Sequence, residues 1–264
     1  MARVSFKKYE GLGNDFVLLE LSSASLADDV VRRLCDRHFG IGGDGVLVVS
    51  DGKNAGSAAT MTVLNADGSR PEMCGNGVRC VALHLAKKRG RDAIDLTIDT
   101  DAGPRVCKVQ RDQVEVDMGN LVDLGPIEVT VAGRAHKFAR ISAGNPHAIT
   151  FDRYEQSEID VIGPAVATSS LFPEGTNVEF ARIGDNGSID VVVWERGVGR
   201  TLACGTGACA TVGAACLQRK RSFDEFVEVH LPGGPLGIRV QKGGLAATMR
   251  GPARLVFEGE VTIP

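Results

Sequence analysis

Apolar and polar positions alternate in short runs along most of this chain, the period of half-buried strands, and one long helical stretch interrupts the alternation in each half. Residues 4–9 and 16–21 read as strands and 26–37 as a helix. Residues 45–49 and 60–64 are β-branched strands, split by the hairpin signal Asp51-Gly52-Lys53-Asn54-Ala55-Gly56. A helix over 76–89 follows. Lys87, Lys88 and Arg89 lie in its last turn, and Gly90 stops it. Strands over 94–99, 105–110 and 113–117 complete the first half.

The second half replays this order. Strands over 127–131 and 137–141 lead into Gly144-Asn145-Pro146-His147 and a short helix over 159–168. Residues 178–183 and 189–194 form a hairpin turned at Asp185-Asn186-Gly187, and a helix over 206–220 again ends in basic residues. Strands fill the tail. Motifs repeat with the elements. Met73-Cys74-Gly75-Asn76-Gly77 opens one long helix and Ala203-Cys204-Gly205-Thr206-Gly207 the other, with cysteines 130 positions apart (204 − 74) in a chain of 264. Gly13-Asn14 matches Gly144-Asn145 and Asn65 matches Glu195, at offsets of 131 and 130. A spacing kept by several pairs marks a duplicated unit. Mixed strands with one long helix per half give an α+β fold of two pseudo-symmetric lobes. Glycine, asparagine and proline near 120–125 divide it into 1–120, carrying Cys74, and 121–264, carrying Cys204, with the last strand able to pack back on the first lobe.

Composition narrows the chemistry. A net charge of −3 gives no electrostatic reason for a nucleic-acid or membrane partner. Neither a signal segment nor a bilayer-length apolar run is visible, so the expected compartment is the cytoplasm. Seven cysteines without a C-x2-C pair suggest free thiols, and neither a disulfide framework nor a structural zinc site. Glycine makes up 33 of 264 residues, above the usual share of roughly 7%, and crowds the repeated motifs, where backbone must approach a ligand closely.

Cys74 and Cys204 each precede a helix start, where unpaired N–H groups and the helix dipole favour negative charge and are expected to lower a thiol pKa. At an ordinary value near 8.5, only about 3% of a thiol is ionised at pH 7. Two such groups flanking one carbon would share one proton as a coupled pair, with sulfurs about 6–7 Å apart. One removes a proton from one face of the carbon, and the other returns it to the opposite face, as racemases and epimerases require. The two helix starts also suit a carboxylate and the enolate-like charge formed on deprotonation. No lysine stands beside a motif to hold pyridoxal phosphate, so the expected chemistry needs no cofactor and no metal. A covalent cysteine nucleophile with His147 as its base is the rival reading, but it accounts for one Cys-Gly-x-Gly, not two. His147 and Glu195 are candidates for tuning the thiols, and Arg196 suits a second substrate carboxylate. Gly40-Ile41-Gly42-Gly43-Asp44-Gly45 fits a dinucleotide fingerprint, yet it follows a helix and precedes a strand, the reverse of the required order.

Taken together, Gly11-Leu12-Gly13-Asn14-Asp15-Phe16, Phe39-Gly40-Ile41-Gly42, Asn65-Ala66-Asp67-Gly68-Ser69, Met73 through Cys80, Gly144 through His147, and Glu195 through Ala208 resemble the diaminopimelate epimerase family, in family order. The resemblance implies two lobes, each a mixed, strongly curved sheet around a long helix, with the active site in the cleft between them. It implies cofactor-free interconversion of LL- and meso-2,6-diaminopimelate, for lysine and cell-wall precursors, by a homodimer. Cys74 and Cys204 would be the bases, modulated by His147 and Glu195. Asn14, Asn65, Gly75, Asn76, Asn145, Asn177, Glu195, Arg196, Gly205 and Thr206 would bind substrate. Two positions depart from the family pattern: Gly45, where some members have a substrate-contacting glutamine, and Arg200, where many have glutamate. Alternatives on related chemistry are a proline or hydroxyproline racemase and an amino-acid-binding relative without activity. A phenazine-biosynthesis-type isomerase lacks the cysteine pair.

Overall fold

The computed structural model describes residues 2–22 and 26–263. The chain forms two compact units, Met1–Val116 with Arg250–Pro264, and Asp117–Met249. In the first unit β1 (Ala2–Gly11) pairs antiparallel with β2 (Asn14–Glu20), and α1 (Asp28–Cys35) connects β2 to its parallel neighbour β3 (Gly45–Ser50). Strand β3 turns back into antiparallel β4 (Ala59–Asn65), and α2 (Gly75–Lys88) carries the chain to β5 (Ala93–Thr100), parallel to β4. Antiparallel strands β6 (Gly103–Gln110) and β7 (Gln113–Asn120) follow, and the C-terminal strand Arg254–Ile263 returns to pair with β1.

The second unit repeats the pattern. Strand β8 (Val122–Val131) pairs with β9 (Arg134–Ser142), which pairs antiparallel with β10 (Pro146–Thr150). Helix α3 (Gln156–Ala167) connects β10 to parallel β11 (Asn177–Ile183), which turns into antiparallel β12 (Ile189–Glu195). A two-residue strand β13 (Gly199–Arg200) flanks β12. Helix α4 (Gly205–Leu217) then leads to β14 (Phe226–Leu231), parallel to β12, with antiparallel β15 (Gly234–Val240) and then β16 (Ala246–Pro252). Each unit therefore runs antiparallel, parallel through a helix, antiparallel, parallel through a helix, antiparallel. The registers correspond too: Phe16 lies opposite Gly45 in the first unit and His147 opposite Asn177 in the second.

Each unit layers a helix on both faces of its strands. Alternation sends Val46 and Val48 of β3 to the α1 side, in a core with Val17, Leu19, Val31 and Leu34. Leu47 consequently faces α2, whose residues from Gly75 to Ala86 are all buried. In the second unit Val178 and Phe180 of β11 pack with Ile159, Ile162 and Val166 of α3, so Asn177 and Glu179 face α4. Helix α4 is built from small residues and lies close to its strands: a Cβ on Gly207 would stand 2.6 Å from Glu179 Oε1 of β11. The stretch read as a break near 120–125 is strand on both sides of Leu121. Gly125, at φ 74°, and Pro126 are absorbed in a bulge where the β8–β9 register shifts.

Candidate active site

Both long helices begin on a cysteine. Cys74 is the N-cap of α2, with φ −136° and ψ 113°, and Cys204 the N-cap of α4, with φ −122° and ψ 106°. In each, the sulfur accepts the backbone N–H three residues on, from Gly77 and Gly207, at 3.4 Å. A thiol thus takes the place that serine or aspartate usually holds at a helix start, against the positive end of the dipole.

Around Cys74, Asn76 Nδ2 donates to Asn14 Oδ1 at 3.0 Å, and the Cys74 sulfur lies 3.9 Å from the same oxygen. The Asn14 amide is anchored in turn, donating to Asp44 Oδ2 at 2.8 Å. Asp44 belongs to the glycine run rejected as a dinucleotide motif, and its role was not legible there. Arg37 bridges Asp44 and Asp15, and buried Lys8 pairs with Asp15 at 2.6 Å and donates to the Gly42 carbonyl. Burial alone would raise the Asp15 pKa, but hydrogen bonds from Arg37 and Lys8 outweigh it and hold the carboxyl at about 2. Asn65 ends β4 and donates to Ser69 Oγ at 2.9 Å, within the Asn65–Ser69 turn. Gly45 has no room for a glutamine on this backbone, because a Cβ there would stand 2.5 Å from the Leu64 carbonyl oxygen.

In the second unit the structure gathers Asn145, His147, Asn177, Glu195, Arg196, Gly205 and Thr206 with Cys204. Thr206 Oγ1 lies 3.5 Å from the Cys204 sulfur. Glu195 accepts from Thr201 Oγ1 at 2.6 Å and hydrogen-bonds Cys204, and burial raises its pKa. Asn177 Oδ1 accepts the Arg196 backbone N–H at 2.9 Å, while the Arg196 guanidinium donates to the Glu174 carbonyl at 2.7 Å. The ring nitrogens of His147 go to Asn145 Oδ1 at 2.9 Å and Glu179 Oε1 at 2.6 Å, rather than to a sulfur. Arg200 turns to α3, with Nε 2.7 Å from Asp160 Oδ1, so its charge is paired away from Cys204. Glu179 escaped sequence analysis. Its place in an alternating strand reads as solvent-facing, yet α4 covers that face and the side chain is fully buried.

The two thiols differ in surroundings. Cys74 is partly exposed and Cys204 buried. Burial, then the nearby carboxylates of Glu195 and Glu179, push the Cys204 thiol pKa well up; the Thr206 and Gly207 hydrogen bonds oppose this only in part. The lowering expected from a helix start alone is therefore overturned at Cys204, because desolvation opposes the thiolate more strongly than one N–H and a dipole favour it. None of the seven cysteines is joined in a disulfide. Among the described residues there is no cluster of three or more His, Cys, Asp or Glu able to hold a metal, and no helix long and apolar enough to cross a membrane.

The family model described as diaminopimelate epimerase matches residues 6–123 and 139–256, one stretch in each half of the duplication. The chain belongs to the diaminopimelate epimerase family. Among curated relatives, the diaminopimelate epimerase of Synechocystis sp. is 41% identical over 280 residues, covering 98% of this chain and 99% of its own. That of Nostoc punctiforme is likewise 41% identical, with the same shares covered. A crystal structure of a hydroxyproline epimerase from Agrobacterium vitis with bound trans-4-hydroxy-L-proline shares the fold, with a TM-score of 0.78 over 98% of this chain and 92% of that one. At 14% identity, that likeness speaks for the fold alone.

Proposed function

We propose that this diaminopimelate epimerase family member interconverts LL- and meso-2,6-diaminopimelate with Cys74 and Cys204 as its two acid/base groups and no cofactor. The observation that carries the reading is the pair of cysteine N-caps, alike in backbone conformation and in the 3.4 Å bond each sulfur accepts. Desolvation keeps Cys204 a neutral thiol at rest, so the first base is Cys74. The Cys74 thiolate takes the α-proton, and the electron pair left on carbon spreads into the adjoining carboxyl group. The Cys204 thiol then delivers its proton to the opposite face of that carbon. The sulfurs exchange protonation states, and no net proton or electron is lost.

Helix-start amides at Gly75, Asn76, Gly205 and Thr206 suit the reacting carboxylate, whose negative charge grows in the transition state. Asn14, Asn65, Asn145 and Asn177 offer both donors and acceptors to ammonium and carboxylate groups, and Arg196 offers a fork to the distal carboxylate. Glu195, hydrogen-bonded to Cys204, and His147 tune the second thiol. The reading extends to lysine and peptidoglycan precursor synthesis by a homodimer in the cytoplasm, as the family resemblance implies.

Proton NMR in D2O under reducing conditions tests the reaction, with LL-diaminopimelate and L-proline supplied separately. Because a thiol exchanges its proton with solvent, turnover replaces the α-proton of diaminopimelate with deuterium as meso isomer accumulates, and proline keeps its own. Exchange on proline instead would move the chain to the racemase alternative, and binding without exchange on either would make it a binding protein.

A further inference from the structure

The duplicated fold carries its own control for one buried carboxylate. Phe16 and Leu47 in the first unit occupy the places held by His147 and Glu179 in the second, since Phe16 lies opposite Gly45 as His147 lies opposite Asn177. Leu47 sits beneath Gly77 of α2, where an added Cβ would meet its Cδ2 at 2.9 Å. Glu179 sits beneath Gly207 of α4, where an added Cβ would meet its Oε1 at 2.6 Å. All four side chains are buried. The same architecture is thus satisfied by an aromatic and an aliphatic residue in one copy and carries an imidazole and a carboxylate in the other.

Packing alone does not account for the polar pair. A buried carboxylate is costly unless its oxygens are bonded, and apolar residues of similar volume often replace a buried pair without loss. Glu179 is fully buried, with Oε1 2.6 Å from His147 Nδ1 and Oε2 without a hydrogen-bond partner. The ring's other nitrogen lies 2.9 Å from the Asn145 side-chain amide, so both ring nitrogens are engaged, Nδ1 by Glu179 and Nε2 by Asn145. The carboxylate thereby fixes the ring, and the ring fixes the Asn145 side chain. Three elements bring titratable groups to Glu179: His147 on β10, Glu195 on β12, and Cys204 at the start of α4.

We propose that Glu179 is a positioning residue: its buried carboxylate orients His147 and Asn145 and places a negative charge beside Cys204, at a position where the first unit has Leu47. That charge favours the protonated form of the Cys204 thiol over its thiolate. This rests on the epimerase reading above and adds Glu179 to the burial and the Glu195 carboxylate that already favour a protonated Cys204.

Glu179→Gln keeps the shape and removes the charge, and Glu179→Leu copies the first unit. Losing a charge-assisted hydrogen bond of this kind corresponds to roughly a 10- to 100-fold fall in kcat. We expect that fall for both variants in both reaction directions, with KM changed by less than about threefold and the pH profile of kcat displaced. Glu179→Leu/His147→Phe, which copies both first-unit residues, should unfold near the wild-type denaturant midpoint, whereas Glu179→Leu alone leaves Nδ1 of buried His147 without its partner and should unfold earlier. A kcat within about twofold of wild type and an unmoved profile would overturn the proposal, as would a loss confined to KM or to stability. Nitrogen NMR of the histidine rings, with the His147 signals identified by their absence from His147→Phe, gives a readout independent of turnover. The Nδ1 signal should move in both Glu179 variants, and an unmoved signal would refute the hold on the ring even if wild-type protein proved inactive on diaminopimelate.

Discussion

Replacing Gly207 by alanine tests the packing that joins Glu179 to the helix start of Cys204. The new Cβ would stand 2.6 Å from Glu179 Oε1 and 3.3 Å from the Cys204 sulfur, so the carboxylate must retreat by about 0.8 Å to reach ordinary contact. It has little freedom to do so, because Oε1 is already bonded to His147 at 2.6 Å and β11 is paired on both sides. Overpacking of this kind costs about 1–3 kcal/mol, and straining a charge-assisted hydrogen bond adds about 1.5 kcal/mol. The better helix propensity of alanine returns about 1 kcal/mol, leaving a net loss of about 1.5–3.5 kcal/mol. Gly77→Ala is the matched control. Its Cβ would meet the Leu47 Cδ2 methyl at 2.9 Å, and a leucine can turn that methyl aside, so the net change should stay within about 1 kcal/mol. Urea unfolding of both variants, with turnover measured alongside, separates the two cases. Removing the obstruction in Gly207→Ala/Glu179→Ala should recover part of the stability and none of the activity. Equal stability and turnover in Gly207→Ala and Gly77→Ala would refute the reasoning.

Two further outcomes follow from the electrostatics. Brief alkylation near neutral pH, read by peptide mapping, should label Cys74 well ahead of Cys204: Cys74 is partly exposed, while burial and two carboxylates hold Cys204 protonated. Cys35 and Cys216 should also lag, since burial raises each to about 11. Faster labelling of Cys204 would contradict the assignment of Cys74 as the resting base. Asp15, held at about 2 in the folded chain against an ordinary value near 3.9, stabilises the fold above pH 4 and loses that contribution as pH falls toward 2. With screening by solvent around half-exposed Arg37, the contribution is about 1–2 kcal/mol. Urea midpoints at pH 7 and pH 3 should therefore differ less for Asp15→Asn than for wild type, and equal slopes would exclude the coupling.

The duplication, the long helices and the residues at their starts were legible because they rest on local signals: periodicity, glycine spacing and basic last turns. Helix α2 was expected over 76–89 and spans Gly75–Lys88, with the N-cap on the cysteine the motif had singled out. What stayed hidden depends on which element covers which face. In Asn177-Val178-Glu179-Phe180 the alternation is clear, but only the position of α4 shows that the polar face is interior. Asp44 was hidden differently. It lies in a glycine run whose order excluded nucleotide binding, and its bond to Asn14 joins residues 30 positions apart. The Cys204 thiol departs from the expected lowering for a related reason: a helix start is visible in sequence, whereas the desolvation and the Glu195 and Glu179 charges that outweigh it are tertiary.

The most direct test of the two-thiol account is stereochemical turnover by Cys74→Ala and Cys204→Ala, each verified as folded by circular dichroism. LL-diaminopimelate would be supplied in D2O, with the meso isomer and α-deuterium followed by NMR. The account predicts that neither variant forms the meso isomer while wild-type protein does. Sustained LL-to-meso conversion by either folded variant would contradict it.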